Sequence, residues 1–184
     1  MFRLFCKKKA HLSRADFITS ILSFQQEMGT ALSRDAQKFF SLKVDAKLLQ
    51  FECEVLSLCI LSRVLLLAIQ DNNLDLRNTI YVEYCRYRNF DNDTTKRFLG
   101  YLDMRRERYY DAFNEFVKDH KSCMLGSVVA NGLKGGKSDK LGLDIFDMFA
   151  AHSLFINSFK STLEFVRDLK KKYDLSEVSS VFAE

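Results

Sequence analysis

The chain has 184 residues, 47% hydrophobic and 28% charged, a mixture that fits one soluble globular domain with its own core and excludes a disordered or fibrous protein. It contains no proline, where average usage would supply about nine, so the strongest breaker of helix interiors is missing. The formal charge of +4 is concentrated at one place: residues 1–15 hold Arg3, Lys7, Lys8, Lys9 and Arg14 with no acid, leaving 23 basic against 24 acidic groups elsewhere, which argues against a nucleic-acid-binding body.

The opening residues combine bulky apolar and basic side chains: Phe2, Arg3 and Phe5 precede the triplet Lys7, Lys8 and Lys9. Such a segment can lower its apolar groups into the acyl boundary of a membrane while the lysines meet anionic headgroups. Residues 1–12 are therefore expected to be a flexible basic tail that docks on an anionic membrane surface, with Cys6 open to acylation. Residues 13–184 are expected to form a single helical-bundle domain.

The first helix is predicted to start near Ser13 or Asp16 and to run towards Phe40, with Phe17, Ile21, Phe24 and Met28 on one stripe. The second, from about Val44 to Gln70, keeps a heptad rhythm through Leu48, Phe51, Val55, Leu58, Ser62, Leu65 and Ile69 and is apolar on its other faces too, which places it in the middle of the bundle. Its longest apolar run, Val55 to Ile69, is about fifteen residues with Arg63 inside it, short of the roughly twenty that a bilayer span needs. After Asp71-Asn72-Asn73 a shorter helix is predicted from Leu74 to Arg88. A fourth, capped by Asp93 or Thr94, is predicted to reach about Lys121.

The glycines crowd between Gly126 and Gly142, and residues 124–140 are expected to be a glycine-rich loop linking the fourth helix to a fifth over about Leu141 to Tyr173. Within it, Asn131 to Ser138 comes one residue short of the phosphate-binding pattern G-x-x-x-x-G-K-[ST], because Asn131 stands where the first glycine should be. No parallel sheet is visible to support that fold. Lys134, Gly135, Gly136, Lys137 and Ser138 remain a candidate loop for weak anion binding.

No stretch alternates as a strand. The expected architecture is all-α: a roughly five-helix, mainly antiparallel bundle.

Chemistry-bearing constellations are sparse. Glu107, Asp111, Glu115 and Asp119 recur every four residues along the fourth helix, a pattern that fits a solvated face of ion pairs. His152 falls on the apolar stripe of the last helix, and together with Glu107, Asp111 and Glu115, or with Glu52 or Glu54, it is the candidate for a buried polar site. No Glu-x-x-His pair occurs, and neither a metal nor another cofactor is called for.

The five cysteines are odd in number and lack a CxxC pair, which favours a reduced, cytoplasmic setting at or near the inner membrane face. Seventeen phenylalanines exceed what one core of this size comfortably hides. The expected function is a non-enzymatic helical interaction or regulatory module that binds a protein partner or self-associates. The alternative is a metal- or small-ligand-binding bundle built on His152.

Overall fold

A computed structural model describes residues 9–40, 44–69, 74–120, 123–135, 145–175 and 178. Among these the chain is all-helical apart from one pair of two-residue strands. In order come β1 (Ala10–His11), α1 (Arg14–Phe40), α2 (Ala46–Ile69), α3 (Leu74–Tyr87), α4 (Asn92–Lys118), α5 (Met124–Leu133), α6 (Ile145–Lys172) and β2 (Tyr173–Asp174). The all-α expectation holds. The helix count among the described residues is six rather than five, because residues 124–133 of the expected glycine-rich loop are helical.

Helix starts are set by short polar side chains. Ser13 Oγ accepts the Asp16 amide at 3.1 Å and donates to the Asp16 carboxylate at 2.6 Å, closing the first turn of α1. Asp45 Oδ1 accepts the amides of Lys47 and Leu48 at the start of α2. Asp91 caps α4 by accepting the Thr94 amide at 2.7 Å, a bond that holds its carboxyl below the usual range. Between α3 and α4 the chain reverses through Asn89, at φ 53°. Phe90 N–H donates to Cys85 O and Asn89 N–H to Arg86 O, the paired bonds of a left-handed helix stop that asparagine tolerates well.

α2 is the axial element. Leu49, Cys53, Val55, Leu56, Leu58, Cys59, Ile60, Leu61 and Val64 are all buried, pointing in every direction around the helix, and α1, α4, α5 and α6 pack against it. The aromatic residues join the outer helices to one another. Phe24 of α1 stacks on Phe165 of α6 at 4.1 Å between ring centroids, Phe113 of α4 meets Phe155 and Phe159 of α6, and Phe98 gathers Phe51, Tyr84 and Phe90.

α5 is helical despite two glycines because its backbone is used as a contact surface. A Cβ at Gly126 would lie 2.4 Å from the Met148 carbonyl oxygen, so α5 and α6 touch backbone to backbone there. A Cβ at Gly132 would lie 2.0 Å from the Tyr109 hydroxyl oxygen, and Tyr109 is fully buried. These glycines make room for neighbours and do not mark a loop.

The expected tail, residues 1–12, is tied down at its inner end. β1 pairs in parallel with β2, Ala10 opposite Tyr173 and His11 opposite Asp174. Leu12 N–H adds a bond to Asp174 O, and Lys9 Nζ donates to Lys170 O at 2.5 Å. Two-residue strands are too short to show alternation, which is why periodicity gave no strand.

Candidate functional site

The most exposed apolar surface of the described residues lies where α4 ends, α5 begins and α6 begins. Within the first two turns of α6, Ile145, Phe146 and Phe149 are 59%, 76% and 67% exposed. Beside them is a cavity of about 270 Å³ lined by His120, Cys123, Gly126, Ile145, Met148, Phe149 and His152. Val117 and Met124 add further exposed apolar surface on the adjoining ends of α4 and α5. Burying large side chains normally drives folding, so several of them left exposed at one end form a candidate contact surface.

His152 lies in this cavity's wall rather than in a catalytic cluster. Its ring meets Phe116 edge to face at 4.8 Å, and Phe116 also meets His120. Burial alone pushes the His152 pKa down, which favours the neutral imidazole. The acids expected beside it do not line the cavity. Glu107, Asp111 and Glu115 are exposed on α4, and Glu115 pairs with Lys118 at 2.9 Å. The proposed His152–carboxylate site is therefore corrected: one turn-by-turn row of acids faces water while the histidine faces aromatic rings.

The buried carboxylate is Glu52, in the middle of α2. Its Oε1 accepts from Tyr101 Oη and, at 3.1 Å, from Arg105 Nη2. Arg105 Nε donates to Tyr101 Oη at 2.8 Å and Nη2 reaches the Gly132 carbonyl at 3.3 Å, so one guanidinium ties α2, α4 and α5 together. Both charged side chains are almost wholly buried. Desolvation raises the Glu52 pKa against the pull of Tyr101 and Arg105. Glu52 Oε2 and the Tyr109 hydroxyl beside this network have no hydrogen-bond partner among the described residues. Buried between three helices, the network clamps α2, α4 and α5 together.

A second buried ion pair revises the anion-binding loop. Lys134 Nζ donates to Asp147 Oδ2 at 2.6 Å, and both side chains are about 4% exposed. The lysine expected in a loop for weak anion binding is committed to joining the end of α5 to the first turn of α6. Gly135 follows at φ 73° and packs against Leu48. Gly136, Lys137 and Ser138 lie outside the described residues, as do Phe2, Arg3, Phe5, Lys7 and Lys8 of the membrane-docking tail.

A polar cleft of about 410 Å³ runs between α1, α2 and α3. At its floor Glu54 accepts from Tyr84 Oη at 2.6 Å and from Arg88 Nη1 at 2.8 Å, so its ionic groups satisfy each other. Three of the cysteines, Cys53, Cys59 and Cys85, are buried free thiols, and burial pushes the Cys53 thiol up to about 12, where it stays protonated. Among the described residues no group of three or more His, Cys, Asp or Glu side chains is arranged to hold a metal ion, and no helix is long and apolar enough to cross a membrane.

The Glu52–Arg105 pair could have been suspected from an acid on the buried side of an apolar helix, which demands a buried cation, though Glu54 two residues on offers the same signal. Nothing in the spacing identifies Arg105 as that cation among its neighbours Arg106 and Arg108.

No known protein family, curated protein or solved structure matches the chain.

Proposed function

We propose that the chain is a non-enzymatic helical interaction module whose binding face is the apolar end built by α4, α5 and α6, with a second copy of the chain as its occupant. The observation that carries this reading is the side-by-side placement of a projecting Phe146 and an open apolar cavity at Phe149, Met148 and His152. A knob beside a hole on one surface is self-complementary: a two-fold axis seats each copy's knob in the other's hole. Short connections between consecutive helices, five residues from α1 to α2 and four from α2 to α3, favour a mainly antiparallel arrangement of the bundle. The tail residues Phe2, Arg3, Phe5, Lys7, Lys8 and Lys9 supply docking to an anionic membrane surface, on the cytoplasmic side.

Placing a photoreactive benzophenone group at position 146 tests the contact. Illumination is expected to give a covalent dimer whose cross-linked peptides contain residues of the 120–152 wall of the second copy. Cross-links confined to other surfaces, or none at all, would sink the reading.

A further inference from the structure

The polar cleft between α1, α2 and α3 has the size and lining of a small-molecule site. Its volume of about 410 Å³ lies in the usual range for such sites, and an adjoining cavity of about 230 Å³ shares Gln25, Gln26, Tyr84 and Tyr87 with it. The charges in the cleft cancel. Arg88 Nη1 donates to both oxygens of Glu54, and Tyr84 Oη donates to the same carboxylate, so neither an anion nor a cation gains a net field there. Because Arg88 spends one nitrogen on Glu54, Nε and Nη2 are left as donors.

Gln25 is 2% exposed, yet it lines both cavities. Ser57 Oγ donates to the Glu54 carbonyl at 2.8 Å, so it is the acceptor for Gln25 Nε2 at 2.9 Å, which fixes which way round the amide sits. That orientation leaves Gln25 Oε1 without a hydrogen-bond partner among the described residues. A buried amide oxygen with no partner is costly, and a ligand hydroxyl in the cleft would supply one. Gly29 is a second, independent observation. Glycine inside a helix is less favourable than alanine, and packing does not demand it here: a Cβ would meet Ser57 Oγ, Glu54 Cγ and Gln25 Nε2 at 3.5, 3.6 and 3.8 Å, ordinary contact distances. Gly29 forms part of the cleft wall, so the missing methyl group keeps cleft volume open. Tyr87 borders both cavities with its ring 57% exposed.

The geometry points to a binding site for a neutral polyhydroxylated ligand, a sugar of one or two rings. Gln25, Gln26 and Gln50 each carry a donor and an acceptor side by side, which matches neighbouring hydroxyl groups that also donate and accept. The Tyr87 ring offers an apolar face to the C–H side of the sugar. An apolar ligand of the same size would leave the amides unpaired, and a site made to hydrogen-bond hydroxyl groups rejects analogues that lack them.

Titration of the isotope-labelled full chain with glucose, galactose, mannose, N-acetylglucosamine, maltose and lactose, followed by side-chain and backbone amide signals in NMR, tests this. At least one of these sugars is expected to shift the Gln25 Nε2 and Gly29 N–H signals saturably, with a Kd of about 1 mM or below. Gln25→Ala is expected to weaken that binding by about tenfold or more, because it removes the buried amide. Gly29→Ala is expected to weaken it by about tenfold while helicity and the thermal midpoint stay unchanged or rise, since alanine is the better helix former. No saturable shift at the cleft from any of the sugars, or wild-type affinity in Gly29→Ala, would overturn the proposal. Tighter binding of glucosamine or glucuronate than of glucose would overturn the neutral class of ligand.

Discussion

At the scale of single residues, the chain stores much of its specificity in polar groups that its surface does not reveal. The Arg105 guanidinium serves the Glu52 carboxylate, the Tyr101 hydroxyl and the Gly132 carbonyl at once. Arg105→Met is expected to lower unfolding stability by about 3–5 kcal/mol in urea denaturation, because it leaves a buried carboxylate without its cation. Adding Glu52→Leu to that variant is expected to recover part of the loss, since the orphaned charge leaves with it. A single substitution costing no more than an ordinary surface change would show that the pair contributes nothing.

His152 gives a second residue-scale expectation, and its sign follows from its surroundings. Its folded-state pKa lies below the ordinary value because burial penalises the imidazolium, so protons bind the unfolded chain better. Its stabilising contribution is full above an unfolded pKa of about 6.5 and is lost as pH falls towards the folded value. Glu52, with a raised pKa, works in the opposite direction at lower pH. The measurement is therefore a comparison: between pH 7.5 and 5.5 the wild type is expected to lose more stability than His152→Phe. Identical slopes in the two proteins would contradict it.

At the scale of elements, the limits of what residues alone disclose are physical. The existence of α1, α2, α3 and α4 and most of their core stripes were legible because 3.6-residue periodicity is a local property, whereas the caps were read less well: α4 is capped by Asp91 rather than by Asp93 or Thr94, and α2 starts at Ala46 rather than Val44. Ser13 opens α1, and Phe17, Ile21 and Met28 are buried along its stripe as their spacing implied. α5 was not legible, because its glycines answer to the Met148 carbonyl and the Tyr109 ring, which are distant in sequence. The candidate site was legible only in part. His152 was read as part of a buried polar site with carboxylates and is half-buried among aromatic rings, and the exposure of Ile145, Phe146 and Phe149 was hidden, since Ile145 and Phe149 continue an apolar stripe that elsewhere in α6 goes inward. Lys134 read as part of a loop for weak anion binding because its partner Asp147 lies thirteen residues away across a segment with no periodicity.

Two glycines separate these causes by experiment. Gly126→Ala forces α5 off the α6 backbone and is expected to destabilise the protein by about 1–3 kcal/mol, the range of an overpacked core. Gly100→Ala, in exposed α4 with nothing near the added methyl, is expected to stabilise by about 0.5–1 kcal/mol through helix propensity. Thermal or urea unfolding checks both, and equal effects would mean that α5 and α6 are not in backbone contact.

At the scale of the whole molecule, charge and greasiness are segregated to the two ends of one long helix. The lysine-bearing end of α6 is tied to the N-terminal segment by β1 and β2, while the opposite end holds the aromatic knob and its cavity. On the proposed reading, self-association through the aromatic end leaves the lysine-bearing end of α6 uncovered. An association that buries Phe146 and Phe149 is expected to be nearly independent of salt, because the driving force is apolar.

Sedimentation velocity over a concentration series, on the wild type and on Phe146→Asp/Phe149→Asp, addresses the association most directly. The account predicts a reversible dimer for the wild type, persisting in high salt, and a monomer of unchanged helicity for the double variant. A wild type that stays monomeric at the highest concentration, or a double variant that dimerises as readily, would contradict it.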